Sequence, residues 1–357
     1  MKNILLFLLI VSMAILGCTK DKAVQPSTGR SLPYENKNLK MELVSAAVPA
    51  ANDMHFFNEN TGIVSTYDGK IYKSIDGGKN WILKFSDTTP DRPLNAILFP
   101  NENVGYAAGG AGWCSVAGCL PSGAVLLKTS DAGENWSIVF QITGRSEFSS
   151  IASNGKGDLF LIENDYAQSF DFVSKILKSE DGGINWSVMA SFDVALKKII
   201  FNKNNGFCIG TYGKIIRSID DGNTWNESPA FEAGWISDIA FNNSTGYCIT
   251  NSQTVYKSTD NGENWDPGYT SSTDYFYKLS PLFDNYCLIW GAVPNTGGCF
   301  GSNAGSVIHS NNAGSTWEST QFKDITSVWE SSFYATHEGY VLAREIGGNK
   351  LIKVTVN

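Results

Sequence analysis

Positive charge is scarce in this chain. Lysine and arginine together number 27 against 35 aspartates and glutamates, for a formal net charge of −8. Nucleic-acid phosphates and anionic membrane surfaces both demand clustered base, so neither is the expected partner by charge. Charge of either sign is limited to 17%, while apolar residues make up 42%, a globular composition. Histidine is nearly absent. His55, His309 and His337 are scattered, and no cysteine spacing matches a zinc site, so no metal or other cofactor is expected. Long hydrophobic runs are missing beyond Leu16. What the chain does have is glycine, 35 residues, and aromatics, 12% with ten tryptophans. That balance points to many short strands and turns.

The one long apolar run, Ile4 to Leu16, follows Lys2 and is too short to span a bilayer comfortably. It ends in Ile15-Leu16-Gly17-Cys18. This stretch resembles a bacterial lipobox, with Leu16 where alanine or serine is usual. The resemblance implies that residues 1–17 are a signal peptide and that Cys18 is acylated. The mature protein is then a lipoprotein of the bacterial cell envelope, held by its lipid on either side of a membrane. Residues 18–38 are polar with scattered proline and glycine. They read as a tether with a reach of roughly 25 Å.

A repeat fills the remainder. Lys73-Ser74-Ile75-Asp76-Gly77-Gly78-Lys79-Asn80-Trp81 is its first copy. Five more end at Trp136, Trp186, Trp225, Trp265 and Trp317, with Asp131, Asp181, Asp220, Asp260 and Asn312 at the acidic position. The common form is Ser/Thr-x-Asp-x-Gly-x-x-Trp, with asparagine for aspartate in the sixth. It resembles the Asp-box, or BNR repeat, of β-propellers. The aspartate is suited to accept N–H bonds within a turn, and glycine to take a positive φ. The tryptophan opens the next strand and is suited to fill the gap between blades. Asp260-Asn261-Gly262-Glu263-Asn264 is therefore a repeat turn rather than a calcium loop.

A second element precedes each box, for example Phe201-Asn202-Lys203-Asn204-Asn205-Gly206-Phe207 and Phe241-Asn242-Asn243-Ser244-Thr245-Gly246-Tyr247. It reads as strand, polar turn, glycine-aromatic step, strand. Box and step together make a four-stranded antiparallel blade. Blade starts fall near Met54, Asn95, Ser149, Lys198, Ser237, Lys278 and Ile325. The fold class is all-β, a single seven-bladed β-propeller over residues 39–357. The seventh unit runs out of chain after its third strand. Residues 39–46 resemble the stretches that follow the tryptophans, so an N-terminal strand is expected to close the ring.

Cys208, Cys248 and Cys287 share one repeat position with Val64 and Ala107, which marks a small buried apolar slot. Cys114 and Cys119 share an insertion and are candidates for a local disulfide in an oxidising compartment. Cys299 has no evident partner. The insertions fall between second and third strands in blades two, three and six, on the face opposite the boxes. They carry Trp113, Tyr166, Phe170, Phe172, Trp290 and Phe300. Aromatics in long loops suggest recognition of a protein or a glycan; the alternative is that they fold down and plug the channel mouth.

The whole-chain pattern is similar to the photosystem II assembly and stability factor-like (YCF48-like) propeller group. That resemblance implies a non-catalytic protein that binds or scaffolds a protein partner. The group's basic ligand surface has no clear counterpart in this acidic chain. Glycan binding, or glycoside hydrolysis of the sialidase or xyloglucanase type, is the alternative. Sialidases need three converging arginines, and this chain has Arg30, Arg92, Arg145, Arg217 and Arg344. Arg30 lies in the tether and Arg217 in a box. Xyloglucanase-like enzymes pair two propellers, and one is present here. A carboxylate pair such as Asp165 with Asp91 or Asp274 remains the opening for hydrolysis.

Overall fold

A computed structural model describes residues 32–35, 39–45, 47–89, 92–111, 122–168, 171–228, 235–280, 285–293, 304–322, 325–335, 337–345 and 348–356. Cys18, Asp91, Trp113, Cys114, Cys119, Phe170, Cys299 and Phe300 lie outside the described residues. So do residues 1–31.

The described strands form seven antiparallel sheets, each a blade. The first strands are Ala51–Phe56, Leu94–Leu98, Ser146–Ser153, Leu196–Asn202, Ile236–Asn242, Tyr275–Leu279 and Ser327–Phe333. Each touches the first strand of the next blade, and the seventh touches the first, so they surround a central channel. The only helix among the described residues is a single 3-10 turn, Thr211–Gly213.

The ring closes as the sequence implied. Leu39–Ser45 pairs antiparallel with Gly348–Val356, in register Leu39 to Val356 and Met41 to Val354. Leu39 and Met41 are buried between blades six and seven. One element goes beyond expectation. Tyr34–Glu35, assigned to the tether, adds a fifth strand outside Leu39–Ser45, and Tyr34 packs edge-on to Phe322 at 5.4 Å. The propeller therefore begins before residue 39.

Each box joins a third to a fourth strand, and its local geometry follows from few groups. In the first, Ser74 Oγ donates to Asp76 Oδ1 at 2.9 Å and accepts from the Gly78 amide at 2.8 Å. Asp76 accepts from both the backbone and the side-chain amide of Asn80. Those amides hold the Asp76 carboxyl down to about 2, and Asp131, Asp181 and Asp260 are held alike. Asn312 keeps the pattern, accepting from Ser310 Oγ and the Thr316 amide. In every copy two successive residues are left-handed, as at Asn261 (φ 58°) and Gly262 (φ 75°). The first is glycine, alanine, aspartate or asparagine. The second is always glycine, because a Cβ there meets the preceding blade: 2.1 Å from Leu351 at Gly78, 2.3 Å from Ile63 at Gly133, 2.6 Å from Phe207 at Gly262.

The aromatic or aliphatic residue after the glycine of the second repeated element is often the residue that the next box covers. Ile63, Tyr106, Phe207 and Tyr247 each lie under the box of the following blade. The two sequence signatures thus interlock across the blade interfaces. The box tryptophans sit beside them: Trp265 packs edge-on to Phe241 at 5.6 Å and donates to the Gly262 carbonyl.

Two expectations are tested by this geometry. Gly262→Ala combines a strained backbone with overpacking on Phe207 and lowers stability by roughly 2–4 kcal/mol. Asn261→Ala, at a position that Ala132 and Ala313 already occupy, changes it by less than about 0.5 kcal/mol. Urea unfolding of the two variants checks the contrast. Deleting residues 39–46 uncovers the edge of Gly348–Val356 and removes Leu39 and Met41 from the core. A clear drop in melting temperature is expected, and an unchanged transition would show that the strand does not close the ring.

Candidate functional site

Every first strand carries a β-bulge at the same place. The register shifts fall at Ala51/Asp53, Leu94/Ala96, Phe148/Ser150, Leu196/Lys198, Ile236/Asp238, Phe276/Lys278 and Val328/Glu330. A bulge re-aims side chains. Here it rings the channel mouth with Asp53, Ala96, Ser150, Lys198, Asp238, Lys278 and Glu330. The mouth lies on the face of the second-to-third-strand turns, opposite the boxes. It opens into a cavity of about 470 Å³.

The ring is held together by charge and by backbone. Lys278 Nζ lies 2.5 Å from Glu330 Oε1, and Lys198 pairs with Asp238. Asp53 Oδ2 accepts the Ile97 amide of blade two at 2.7 Å, and Asp238 Oδ2 accepts the Leu279 amide of blade six at 2.9 Å. Ser332 Oγ accepts the Phe56 amide across the closing seam at 2.9 Å. Burial pushes Lys278 down, but Glu330, Asp238 and Asp53 outweigh it and hold the ammonium above the usual lysine range. Burial also opposes ionisation of Asp238, and Lys198 and Lys278 overcome it. Asp53 differs. Burial and the neighbouring Glu330 raise it to about 7, against the pull of Lys278 and two backbone amides. Lys197, beside the ring, is lowered by burial.

A second cavity of about 240 Å³ adjoins the first between blades three, four and five. Its walls include Tyr166, Leu196, Trp235 and Ile236, and it shares Glu147, Ser149 and Lys197 with the channel. Tyr166 is half-buried, and its hydroxyl donates to Glu147 Oε1 at 2.7 Å. Asn164 Nδ2 donates to the same oxygen at 3.3 Å.

Of the aromatics expected on this face, Tyr166 is at the cavity. Trp290 is not exposed. It lies within the strand Cys287–Val293, fully buried between blades six and seven, and its indole N–H donates to Ser280 Oγ at 2.5 Å. The run Cys287-Leu288-Ile289-Trp290 is continuously apolar because that strand is covered on both faces. Blade three is also corrected. Of the insertion loop expected over 164–172, Asn164 to Gln168 and Asp171 to Phe172 continue the strands Leu159–Gln168 and Asp171–Ser179, paired through Asp165–Val173 and Gln168–Asp171. Phe172 is on the second of these strands. Asn164 is buried there because Ser174 and the Leu196 carbonyl satisfy its amide.

Sequence reasoning missed the aromatics that are exposed. Among the described residues these are Tyr67, Tyr212, Trp235, Tyr275 and Tyr277, all at this face. Tyr212 is 71% exposed and Trp235 58%. Tyr212 also adopts φ 59°, ψ 30°, unusual for an aromatic residue. The large exposed aliphatic residues lie elsewhere, on boxes and outer strands, as with Ile75, Ile184 and Leu83. The short turns that carry Tyr67 and Tyr212 have no insertion to advertise them.

Four of the residues named for the hydrolytic alternative have structural partners. Arg92 is buried in an ion pair with Asp87 at 2.5 Å, and Arg217 lies over the Phe207 ring on the box side. Asp165 pairs with Lys175 at 3.3 Å, and Asp274 is buried against Ser271. Cys208, Cys248 and Cys287 are free thiols buried in the core, and burial pushes each thiol up.

The fold and mouth define an Asp-box propeller with a polar channel entrance that exposed aromatics flank. Residues 158–272 match the family described as photosynthesis system II assembly factor YCF48. By repeat and by fold the chain is similar to the YCF48 propellers. The Photosystem II assembly lipoprotein Ycf48 of Synechococcus sp. (strain CC9902) is 23% identical over 211 residues. That match spans 58% of this chain and 55% of the relative, little more than half of its length. Among solved structures, YCF48 bound to D1 peptide aligns with TM-score 0.66 and 17% identity over 92% of this chain and 100% of that one. YCF48 from Cyanidioschyzon merolae aligns at 0.59 and 15%, over 88% and 98%. The GH74 xyloglucanase from Xanthomonas campestris aligns at 0.64 and 11%, over 85% of this chain and 52% of its own. At these identities the structural likenesses establish the fold.

Ionisation of Asp53 makes a testable contribution to stability. Its carboxyl is raised in the fold from the ordinary value of about 4. The folded state therefore favours the proton, and stability is lost as pH rises from about 4 through about 7. Between pH 5 and 8 the urea midpoint of the wild type is expected to fall relative to that of Asp53→Asn. Parallel profiles for the two would mean that Asp53 ionises normally.

Proposed function

We propose that this chain is a non-catalytic docking propeller, held to a bacterial membrane through acylated Cys18, whose channel mouth holds a segment of a protein partner. The observation that carries this is the placement of the exposed aromatics. All five of those described gather at one face, around the one end of the channel where the bulges present polar groups. Rigid, half-exposed aromatics around a pre-formed cavity are the usual anchors of protein recognition. The YCF48 relatives support a protein as the ligand, since one of them is a structure bound to a D1 peptide. Trp113, Phe170 and Phe300, which lie outside the described residues, are proposed from the sequence alone as further members of this surface. The lipobox-like Leu16-Gly17-Cys18 and the lipoprotein relative support the anchor.

Cross-linking capture from native cells tests this reading, with wild type compared with the double variant Tyr212→Ala/Trp235→Ala. Both side chains are exposed, so the melting temperature is expected to stay nearly unchanged. A protein partner captured by wild type and lost in the variant is the expected result. An identical profile for the two would reject this face as the docking surface.

A further inference from the structure

Glu147 stands out among the charges of this face. It lies on the first strand of blade three, at the boundary of the two cavities. Its two hydrogen-bond donors, Tyr166 and Asn164, are both neutral and both reach Oε1. Among the described residues no lysine or arginine forms an ion pair with it. Of the lysines on the same sheet, Lys175 is shared by Glu163 and Asp165 at 3.4 and 3.3 Å, and Lys178 pairs with Asp158 and Glu180. Lys197 borders the same cavity, but its ammonium donates to the Ser237 carbonyl at 2.9 Å, and the acids that act on it are Asp238 and Glu330. Glu147 thus presents a carboxylate without a counter-cation at the polar end of a pocket whose walls are Leu196, Ile236 and Trp235.

The size and chemistry of that pocket restrict its occupant. At about 240 Å³ it is smaller than the roughly 300–1,000 Å³ of small-molecule sites and suits one side chain. A purely apolar side chain would cover Glu147 and leave the charge desolvated and unpaired. An acidic one would be repelled. A long side chain with an aliphatic stem and a cationic head satisfies both ends, with the stem along the walls and the head on the carboxylate. Trp235 adds an exposed π face at the entrance for the same cation. The net charge of −8 attracts a basic segment from a distance.

We infer that the side pocket reads a lysine or arginine of the docked partner segment, with Glu147 as the residue that takes its charge. This inference rests on the docking role proposed above and adds the class of residue that the partner must present.

The test uses the full chain and small probes, so it needs no partner. Wild type and Glu147→Gln are titrated with n-butylguanidinium, n-butanol and butyrate, followed by the indole N–H resonance of Trp235. Glutamine retains an acceptor for Tyr166 and Asn164, so the variant keeps the pocket, which its melting temperature verifies. Butylguanidinium is expected to bind tightest in wild type and to weaken about tenfold in Glu147→Gln. The same loss is expected in wild type at high salt, a measurement that needs no variant. Butanol or butyrate binding as well as butylguanidinium, or an unaffected Glu147→Gln, would overturn the inference. Capture from cells separates the two ideas. Partner capture that depends on Tyr212 and Trp235 but survives Glu147→Gln keeps the docking face and rejects the basic residue. Capture indifferent to Tyr212 and Trp235 rejects the face itself.

Discussion

The contact on which this ring depends is the seating of one blade's second strand beneath the box turn of the next. At Gly262 there is room for a hydrogen and no more, because the Phe207 ring lies where a Cβ would be. The same closeness recurs at Gly133 and Gly222 against Ile63 and Phe160, and at Gly78 against Leu351 of the seventh blade's third strand. A box is therefore more than a turn that ends a strand. Its serine and aspartate hold two left-handed residues in place, and that geometry brings bare backbone onto a neighbouring hydrophobic side chain. Repeats of this kind cannot bury that surface alone. The seventh blade, which has no box, receives its outer strand from Leu39–Ser45 and passes its own Tyr340 hydroxyl to the Glu59 carbonyl of blade one.

A rigid outer interlock lets the inner ring carry polar groups. Seven bulges at one position turn side chains toward the channel, and four of the interfaces there are tied by a side-chain oxygen accepting an amide from the next blade: Asp53, Ser150, Asp238 and Ser332. The charges satisfy one another only in part. Lys198 and Lys278 serve Asp238 and Glu330, which leaves Asp53 with backbone amides and Glu147 with neutral donors. Buried polar networks that are fully paired rigidify a core, whereas a buried polar group left without a partner is costly. That distinction separates the wall of this channel from its mouth.

Much of the architecture was legible in the chain. Six boxes and the glycine-aromatic steps specify blade number, strand order and the turn face. The missing fourth strand of the last blade implied that residues from the N-terminal side must close the ring. The aromatic site was legible only as a principle. Trp290 is expected at an insertion between second and third strands, yet Ser280 offers its indole a buried acceptor and the strand continues to Val293. Asn164 falls at the start of the insertion expected in blade three, but Ser174 and the Leu196 carbonyl make a buried asparagine acceptable within a strand. Tyr212 and Trp235 escaped notice because short turns carry no compositional signal.

By itself, then, the sequence determined what repeats: the hydrophobic alternation, the turn chemistry and the count of blades. These depend on neighbours within about ten residues, so they can be read in order along the chain. The tertiary structure alone decided which aromatics face solvent, which lysine serves which carboxylate, and that Asp53, Glu147, Lys197, Asp238 and Glu330 meet at one opening. Those side chains come from five different blades, and only closure of the ring brings them within reach of one another.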